Sequence, residues 1–256
     1  MGKMGKLTPD QFGASMPVTA PATQSAPFYY RNVEMMFITY KTDPEAALDI
    51  LPEGLELSEP ATATLIFAHY HFSTFGPYHE AILAINCLFE GQPMTYTSYL
   101  FVDQEAPLIG GREIWGFPKK LGLVELSQQS EQYMGIVERP TGNRIATGVM
   151  RTVDNVPADQ FTLLPTVTLK VIPDAEDRGD NSGPALAQLV SCEFDLKPVV
   201  ATDGLTELWT GPGSLVFNSP TFNDPWYKLE VQEVESCLYG FFNGTLPFGK
   251  ILKEYV

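Results

Sequence analysis

The sequence predicts a single, mainly β domain with a closed or nearly closed sheet and a few short helices. Runs rich in β-branched and aromatic residues recur along the 256 residues, turn residues separate them, and amphipathic helical pattern is scarce. A closed sheet would hide the edges of so many strands. Because no long linker or internal repeat divides the chain, we predict an N-terminal arm at residues 1–28 and one domain at residues 29–256.

The elements follow from local composition. The arm is rich in Pro, Ala, Ser, Thr and Gly, and the first strand is predicted at Glu34–Lys41. Asp43 and Pro44 then open a short helix, which Pro52 and Gly54 end. Further β-rich runs are Thr62–Phe72, Ala81–Phe89, Met94–Val102, Gln132–Glu138, Arg144–Val153, Pro165–Ile172, Leu205–Phe217, Tyr227–Phe242 and Ile251–Val256, with turns at Gly91–Pro93, Pro140–Asn143 and Asp177–Gly183.

The net charge of −15 argues against nucleic acid and anionic membrane as partners. No run approaches the ~20 continuous apolar residues of a membrane span, and the N-terminus has no apolar core of signal-peptide type. The three cysteines, Cys87, Cys192 and Cys237, are far apart and odd in number. They indicate reduced, buried thiols in a cytoplasmic protein.

The stretch Gly110–Gly122, GGREIWGFPKKLG, carries the strongest functional signal. An ordinary lysine has a pKa near ~10.4 and is protonated at neutral pH, so it cannot attack a carbonyl. Apolar neighbours and a second positive charge both lower a lysine pKa, and Lys120 is the charge that we expect to act on Lys119. We therefore predict that Lys119 is an amine nucleophile that forms a Schiff base. On spacing alone, a surface pair beside a turn is the alternative.

This stretch resembles the signature of the acetoacetate decarboxylase family, in which the first lysine of Pro-Lys-Lys forms the Schiff base. Weaker matches follow in family order at Tyr40–Asp43, Leu51–Glu56, Tyr78–Glu80, Leu169–Pro173 and Trp209–Pro212. The resemblance implies a cone-like antiparallel β-barrel with a flanking sheet and a mostly apolar cavity, assembled into homo-oligomers. It also implies a small keto acid as substrate, and neither a metal nor an organic cofactor.

The resemblance implies a lyase that decarboxylates a β-keto acid, either acetoacetate or a longer, more apolar analogue. Lys119 would attack the ketone, and the resulting imine would accept electrons as carbon dioxide leaves. Glu80 matches a family glutamate near the Schiff base, and we expect it to position the imine or transfer a proton; an exposed turn glutamate is the alternative. Trp115 and Phe117 are predicted to contact the substrate.

Two positions depart from the family pattern. Val33 stands where the decarboxylases carry an arginine that meets the substrate carboxylate, and Leu65 stands where they carry a second glutamate. Arg31 lies two residues before Val33, so in a strand it would face the same side and could reach the pocket; Arg112 is the other candidate. A pocket with Val33 and Leu65 suits a longer β-keto acid. It equally suits a Schiff-base aldol condensation with dehydration on a 2-keto acid or another carbonyl substrate.

All three histidines, His69, His71 and His79, fall within eleven residues. In a strand, His69 and His71 share one face and could begin a metal site, with His79 or Glu80 as a third ligand. This pattern is the basis of a rival class, a metal-dependent enzyme of cupin type, but residues 72–75 lack the carboxylate that the cupin pattern requires. We favour the interpretation that the histidines are polar or interfacial residues on a barrel strand. A non-catalytic ligand-binding barrel is the third class.

Overall fold

The computed structural model describes residues 2–176 and 183–256. The strands are β1 (Phe28–Lys41), β2 (Glu56–Leu57), β3 (Thr62–Ser73), β4 (Tyr78–Phe89), β5 (Gln92–Val102), β6 (Lys119–Leu121), β7 (Leu123–Gln129), β8 (Gln132–Glu138), β9 (Arg144–Arg151), β10 (Asp154–Asn155), β11 (Thr166–Ile172), β12 (Leu186–Cys192), β13 (Asp195–Pro198), β14 (Leu208–Thr210), β15 (Gly213–Phe217), β16 (Glu233–Leu246) and β17 (Lys250–Glu254).

The helices are short, as the composition predicts. The α-helices are α1 (Pro44–Leu48) and α2 (Glu105–Gly110), and α2 continues directly into a π-helical turn at Gly111–Trp115. Single 3₁₀ turns occur at Pro9–Gln11, Ala158–Gln160 and Trp226–Lys228. None of the helices in the described part of the chain has both the length and the apolar character needed to cross a membrane.

The strands form one large mixed sheet and one small antiparallel sheet, which confirms the mainly β class. The large sheet has the order β10-β14-β16-β1-β3-β4-β5-β11-β12-β17, and β2, β6 and β13 pair beside this path; the small sheet has the order β15-β9-β8-β7. The sheet is not wholly antiparallel, because β5 pairs in parallel with both β6 and β11. In the described strands, the pairing order ends at β10 and β17 without joining them.

Three apolar cores hold the sheets together. The first core lies between the two sheets, where Met36 and Ile38 of β1 meet Val137 and Ile145 of the small sheet. The second core covers the other face of β1 and includes Met35 and Phe37. Strand β1 is therefore buried on both faces, which explains its nearly continuous apolar sequence. A smaller third core forms around Cys87, Tyr96, Val167 and Leu189.

Most predicted elements are present with adjusted ends. Helix α1 has the predicted cap, because Oδ1 of Asp43 accepts a hydrogen bond from the backbone N–H of Ala46 at 2.8 Å. Strand β1 starts at Phe28, about six residues before the predicted start at Glu34. The run Leu205–Phe217 forms two short strands, and Tyr227–Phe242 begins as a 3₁₀ turn. The turn predicted at Asp177–Gly183 lies, but for its last residue, outside the described residues.

Candidate active site

A small cavity of about 90 Å³ lies on the second-core side of the large sheet. Its walls come from β1, β3, β4, β5, the start of β6 and the loops before β11 and after β12. They are Tyr30, Met35, Phe37, Ile66, Tyr70, Tyr78, Glu80, Ile82, Ala84, Thr95, Thr97, Leu100, Phe117, Lys119, Leu163, Leu164, Thr166, Cys192, Phe194, Leu196 and Leu246. Among the described residues of this wall, Lys119 is the only basic side chain and Glu80 is the only carboxylate. The cavity can therefore isolate one basic and one acidic group from water.

The connection between β5 and β6 brings Lys119 to the cavity. Parallel neighbouring strands need a long crossover, usually a helix, and here α2 with its π-helical turn supplies it. Gly116 ends the turn with a φ of +82°, where a Cβ atom would lie 2.4 Å from Cα of Lys170. Only glycine fits this combination of left-handed backbone and close approach. Lys119 then pairs with Leu100 of β5 at the first residue of β6.

Lys119 and Glu80 form a buried pair. The Nζ atom of Lys119 lies 2.6 Å from Oε1 of Glu80, and the two side chains are 7% and 4% exposed. Glu80 reaches this position from β4, where it pairs with Val102 of β5. The rings of Phe117 and Tyr78 lie 5.6 Å and 5.8 Å from Nζ and cover it with aromatic surface. The predicted nucleophile and the predicted acid–base group are thus in direct contact.

Three buried tyrosines surround this pair. The Tyr70 hydroxyl donates a 2.9 Å hydrogen bond to Oε2 of Glu80, and the Tyr70 and Tyr78 rings stack with their centroids 4.2 Å apart. Tyr30 packs against Tyr70 with a centroid separation of 5.2 Å. Burial raises the pKa of Tyr30, Tyr70 and Tyr78 well above the ordinary value, and the Glu80 carboxylate raises all three further. All three phenols therefore stay protonated at neutral pH and offer hydroxyl groups at the cavity wall.

The π-helical turn is anchored by polar contacts on several sides. The Thr168 hydroxyl donates to the carbonyl of Trp115, and Nζ of Lys170 donates to the carbonyl of Ile114 at 3.2 Å. The exposed Arg112 donates to the carbonyl of Lys119 at 3.0 Å. Arg112 therefore holds the backbone beside the nucleophile, and its guanidinium is not part of the cavity wall.

Lys120 points away from the cavity, as strand alternation requires. Its Nζ donates to the carbonyl of Asn223 at 2.6 Å and to Oδ1 of Asp224 at 3.0 Å. Asp224 is buried and also accepts two hydrogen bonds from Arg139. The charge of Lys120 is thus balanced by a carboxylate on the far side of β6. The predicted effect of Lys120 on Lys119 therefore stays a prediction.

The structure corrects the expectation for Arg31. Asn32 adopts a φ of +52°, and the pairing of β1 with β16 shifts register between Tyr30 and Val33. This irregularity breaks the alternation, so Arg31 is exposed while Val33 is fully buried. The Arg31 guanidinium donates to the carbonyls of Tyr30 and Gly244, and it does not reach the cavity wall described above. Val33 packs in the second core, also outside the wall.

Leu65 and Trp115 are also outside the cavity wall in the described residues, whereas Phe117 is part of it. Leu65 faces the first core, and its neighbour Ile66 faces the cavity because successive strand residues alternate. Trp115 is 1% exposed in the second core, where its Nε1–H donates to the carbonyl of Pro247 at 2.9 Å. Trp115 therefore supports the turn that carries Lys119 and does not contact the cavity directly.

The histidines lie on the face of β3 and β4 opposite the cavity. Their rings form a row, with centroids 3.8 Å apart for His69 and His71 and 4.0 Å apart for His69 and His79. Burial, with His79 and His71 nearby, lowers the pKa of His69 to about 4. Glu80 faces the other way, toward Lys119, so it is not the third ligand that the sequence suggested. The carboxylate that does meet His69 and His71 belongs to Glu34.

Sequence reasoning expected a mostly apolar cavity from the family resemblance, but it missed the three tyrosines. Tyr78 lies inside the Tyr78–Glu80 motif, and Tyr70 lies between two histidines, so both were adjacent to residues that drew attention. The alternation of side chains along a strand was the available signal, because it places Tyr70 on the face opposite His69 and His71. Tyr70 and Tyr78 are also cross-strand partners, but this is evident only once the pairing register of β3 with β4 is known.

Comparison with known proteins supports one family. The sequence model of the family described as acetoacetate decarboxylase matches residues 15–256. The protein named acetoacetate decarboxylase 1 from Mesorhizobium japonicum is 33% identical over 246 residues, which cover 94% of each chain. A crystal structure of acetoacetate decarboxylase from Legionella pneumophila is 30% identical and aligns with a TM-score of 0.82 over 99% of both chains. The enduracididine biosynthesis enzyme MppR shares the fold, with 24% identity and a TM-score of 0.79 over the full length of both chains. The MppR structure holds the condensation product of pyruvate and imidazole 4-carboxaldehyde.

Proposed function

Because the chain belongs to the acetoacetate decarboxylase family, we propose that it is a carboxy-lyase that decarboxylates a β-keto acid through a Schiff base on Lys119. One observation carries the proposal: the Lys119 amine and the Glu80 carboxylate are in contact, both buried, at an otherwise apolar and hydroxyl-lined cavity. The similarity to proteins named acetoacetate decarboxylase supports carboxy-lyase chemistry and a small keto acid as substrate.

The pair offers a route to a neutral amine. Transfer of one proton from Nζ of Lys119 to Oε1 of Glu80 converts two buried charges into two neutral groups. Burying charges is costly, so the surrounding aromatic surface favours the neutral pair relative to the same pair in water. Acetoacetate decarboxylases are themselves a standard illustration of a lysine activated by an apolar pocket or a neighbouring cation. Glu80 then holds the proton close to where the chemistry needs it.

The reaction consumes the β-keto acid and one proton from solvent. Nζ of Lys119 attacks the ketone carbon, and the tetrahedral adduct takes a proton from Glu80 and loses water to give a protonated imine. The bond to the carboxylate breaks, carbon dioxide leaves, and the bonding electron pair moves into the imine to form an enamine. A proton from solvent is added to the enamine carbon, water hydrolyses the imine, and the ketone leaves with Lys119 and Glu80 restored as the starting pair.

The cavity wall indicates how the rest of the substrate is held. Met35, Phe37, Ile66 and Ile82 supply apolar surface for the substituent of the keto acid. No arginine is part of the wall in the described residues, so the substrate carboxylate meets neutral hydroxyl groups such as those of Tyr30 and Tyr78. Weak stabilisation of the carboxylate favours its loss, since the charge disperses in the transition state. We therefore propose that longer, more apolar β-keto acids are accepted besides acetoacetate.

A second reaction fits the same covalent step. Lys119 could form an imine with a 2-keto acid such as pyruvate, whose enamine then attacks an aldehyde and loses water. Two observations favour this alternative. MppR, whose structure holds a condensation product, shares the fold, and the described cavity wall contains no arginine. It differs from decarboxylation in the bond that breaks after the imine forms.

Borohydride trapping tests the covalent step. Borohydride is added to the protein with acetoacetate, with a longer β-keto acid, or with pyruvate, and the modified peptide is mapped by mass spectrometry. We expect a substrate-dependent mass increase on Lys119. Release of carbon dioxide without added aldehyde supports the decarboxylase, whereas a condensation product that needs both pyruvate and an aldehyde supports the alternative.

Lys120→Ala is the matched control, because it removes a neighbouring amine that faces Asp224 and not the cavity. The Lys120→Ala protein should still be trapped on Lys119, and Lys119→Ala should give neither an adduct nor turnover. An adduct on another lysine, or full turnover by Lys119→Ala, contradicts the proposal. If none of the tested substrates gives an adduct, and circular dichroism shows that the protein is folded, the result would favour a non-catalytic binding protein.

We further propose a cytoplasmic homo-oligomer. Free buried thiols at Cys87, Cys192 and Cys237 suit a reducing compartment. Large apolar side chains that are more than half exposed, including Phe222 at 95% and Phe248 at 60%, suit burial against another copy of the chain. Light scattering coupled to size exclusion tests the assembly, and a mass of one chain at all concentrations would exclude it.

A further inference from the structure

A second cluster of chemically active side chains lies on the face of the sheet opposite the cavity. Glu34 of β1 stands beside His69 and His71 of β3, and one ligand atom from each lies within 4.8 Å of the other two. Oε2 of Glu34 is 3.3 Å from Nε2 of His71 and 3.9 Å from Nδ1 of His69. The exposed fractions of the three side chains are 13%, 25% and 39% for Glu34, His69 and His71, so an ion from solvent can reach them.

The donor set suits a borderline divalent metal. Two imidazole nitrogens and one carboxylate oxygen with an open fourth position are a common zinc arrangement. Tetrahedral coordination needs ligand atoms about 3.4 Å apart, so atoms that lie within 4.8 Å of one another must approach by at most about 1.4 Å. The shortest separation already meets this requirement, and His71, as the most exposed of the three, has room to rotate.

Glu34 is already held as a metal ligand would be. The Tyr239 hydroxyl donates a 2.7 Å hydrogen bond to Oε1 of Glu34, which leaves Oε2 directed at both histidines. Tyr239 is itself fixed by stacking on Tyr133, with ring centroids 3.6 Å apart. Such outer contacts orient ligands in metal sites. The net charge of −15 also raises the local concentration of cations at the protein surface.

We propose that Glu34, His69 and His71 bind one zinc ion, which bridges β1 and β3 on the first-core face of the large sheet and takes no part in the chemistry of Lys119. His79 is not a ligand in this site, although its ring stacks on His69, because its Nδ1 lies 2.9 Å from Oδ2 of Asp103. The site is independent of the proposed decarboxylation, since Glu80 and Tyr70 face away from it.

Cobalt and zinc titrations of untagged, chelator-treated protein test the site, because a polyhistidine tag would itself bind the metal. We expect one Co²⁺ per chain with the intense visible absorption bands of tetrahedral cobalt, and displacement of those bands by one equivalent of Zn²⁺. His71→Asn, at a partly exposed position, should weaken zinc binding about 100-fold, as the loss of one of three ligands. Tyr239→Phe should weaken it about tenfold through the orientation of Glu34.

His79→Asn is the matched control, since it removes the adjacent imidazole and should leave the zinc affinity within about twofold of wild type. Trapping on Lys119 should be the same with and without zinc. Absence of tetrahedral cobalt bands overturns the proposal, as does an affinity that survives in the His69→Asn/His71→Asn double variant. An equal loss of affinity in His79→Asn and His71→Asn would also overturn the assignment of ligands.

Discussion

At the scale of single residues, Glu80 is the group on which the proposed chemistry depends most after Lys119. Glu80→Gln keeps the size of the side chain but removes its ability to accept the lysine proton, so we expect kcat/KM for carbon dioxide release to fall at least about 100-fold. Tyr70→Phe removes one hydrogen bond to Oε2 of Glu80 and should lower kcat/KM about tenfold. Steady-state kinetics with acetoacetate measures both effects, and thermal unfolding reports whether either variant is destabilised.

Tyr78→Phe is the comparison variant, because Tyr78 lines the same cavity and its hydroxyl is proposed to meet the substrate carboxylate, whereas Tyr70 donates to Glu80. The loss in Tyr78→Phe is expected mainly as a higher KM, and the loss in Tyr70→Phe mainly as a lower kcat. Wild-type turnover by Glu80→Gln would contradict the proton-transfer role and leave Glu80 as a structural partner of Lys119.

The sequence predicts the role of a single residue correctly where a local motif defines that role. It fails where the role depends on which face of a strand the side chain occupies. The adjacency of Lys119 and Glu80 could be anticipated from two motifs. The exposure of Arg31 could not, because one residue with positive φ at Asn32 reverses the alternation beyond it. The prediction that Leu65 lines the cavity fails for a related reason, because position along the chain does not reveal which face of β3 a residue occupies. Ile66 is the residue that lines the cavity.

At the scale of elements, the π-helical turn positions the Lys119 side chain. A Cβ atom added to Gly111 would lie 2.5 Å from Cε and 2.6 Å from Cδ of Lys119, so the lysine stem lies directly on that glycine. The backbone at Gly111 is ordinary right-handed helix, so Gly111→Ala adds no conformational strain. We expect it to displace Nζ from Glu80 and to lower kcat about 100-fold, since small displacements of a reacting group are costly. Single-turnover kinetics and trapping yield provide the measurement.

Gly110→Ala separates this effect from general crowding. An added Cβ at Gly110 would lie 2.8 Å from the ring of Phe75 and from the Thr23 hydroxyl, so its nearest contacts are with these residues and not with Lys119. Both variants should lower the unfolding temperature by similar amounts, but only Gly111→Ala should lose trapping. Equal losses of trapping in the two variants would indicate that the turn tolerates no substitution. That result would contradict the proposal that Gly111 specifically positions the Lys119 side chain.

The helical crossover is also the element that the sequence concealed most. Segment Glu105–Trp115 contains Pro107 and two adjacent glycines, residues that lower helix propensity, so no helix was predicted there. Contacts from Thr168 and Lys170 of β11 hold the last turn. These residues are more than fifty positions away along the chain, so their stabilising effect is tertiary and leaves no local signal.

At the scale of the whole molecule, each core contains one cysteine: Cys237 the first, Cys192 the second and Cys87 the third. All three cysteines are buried and free, as the sequence predicts, and their reduced state stays a prediction. Burial raises the pKa of Cys87 and Cys192 to about 12 and that of Cys237 to about 11. At pH 8 the native thiols are therefore protonated as well as buried, so labelling by a maleimide reports opening of the surrounding core.

The distribution of these thiols tests whether residues 29–256 unfold as one domain. If the three cores share one cooperative unit, native labelling should be suppressed more than about 1,000-fold relative to the unfolded chain, because each thiol then requires global opening. Brief maleimide pulses across a urea series, read by peptide mass spectrometry, should give one common midpoint for Cys87, Cys192 and Cys237. The small third core is the region most able to open alone, since it contains the fewest buried residues. Labelling of Cys87 at clearly lower urea than the other two would therefore show that the third core opens alone. Labelling of Cys87 and Cys192 together, at lower urea than Cys237, would instead place the division at β11, β12 and β17, because Cys192 lies on β12 and the pairing of β11 with β5 is the sheet's only described link to these strands.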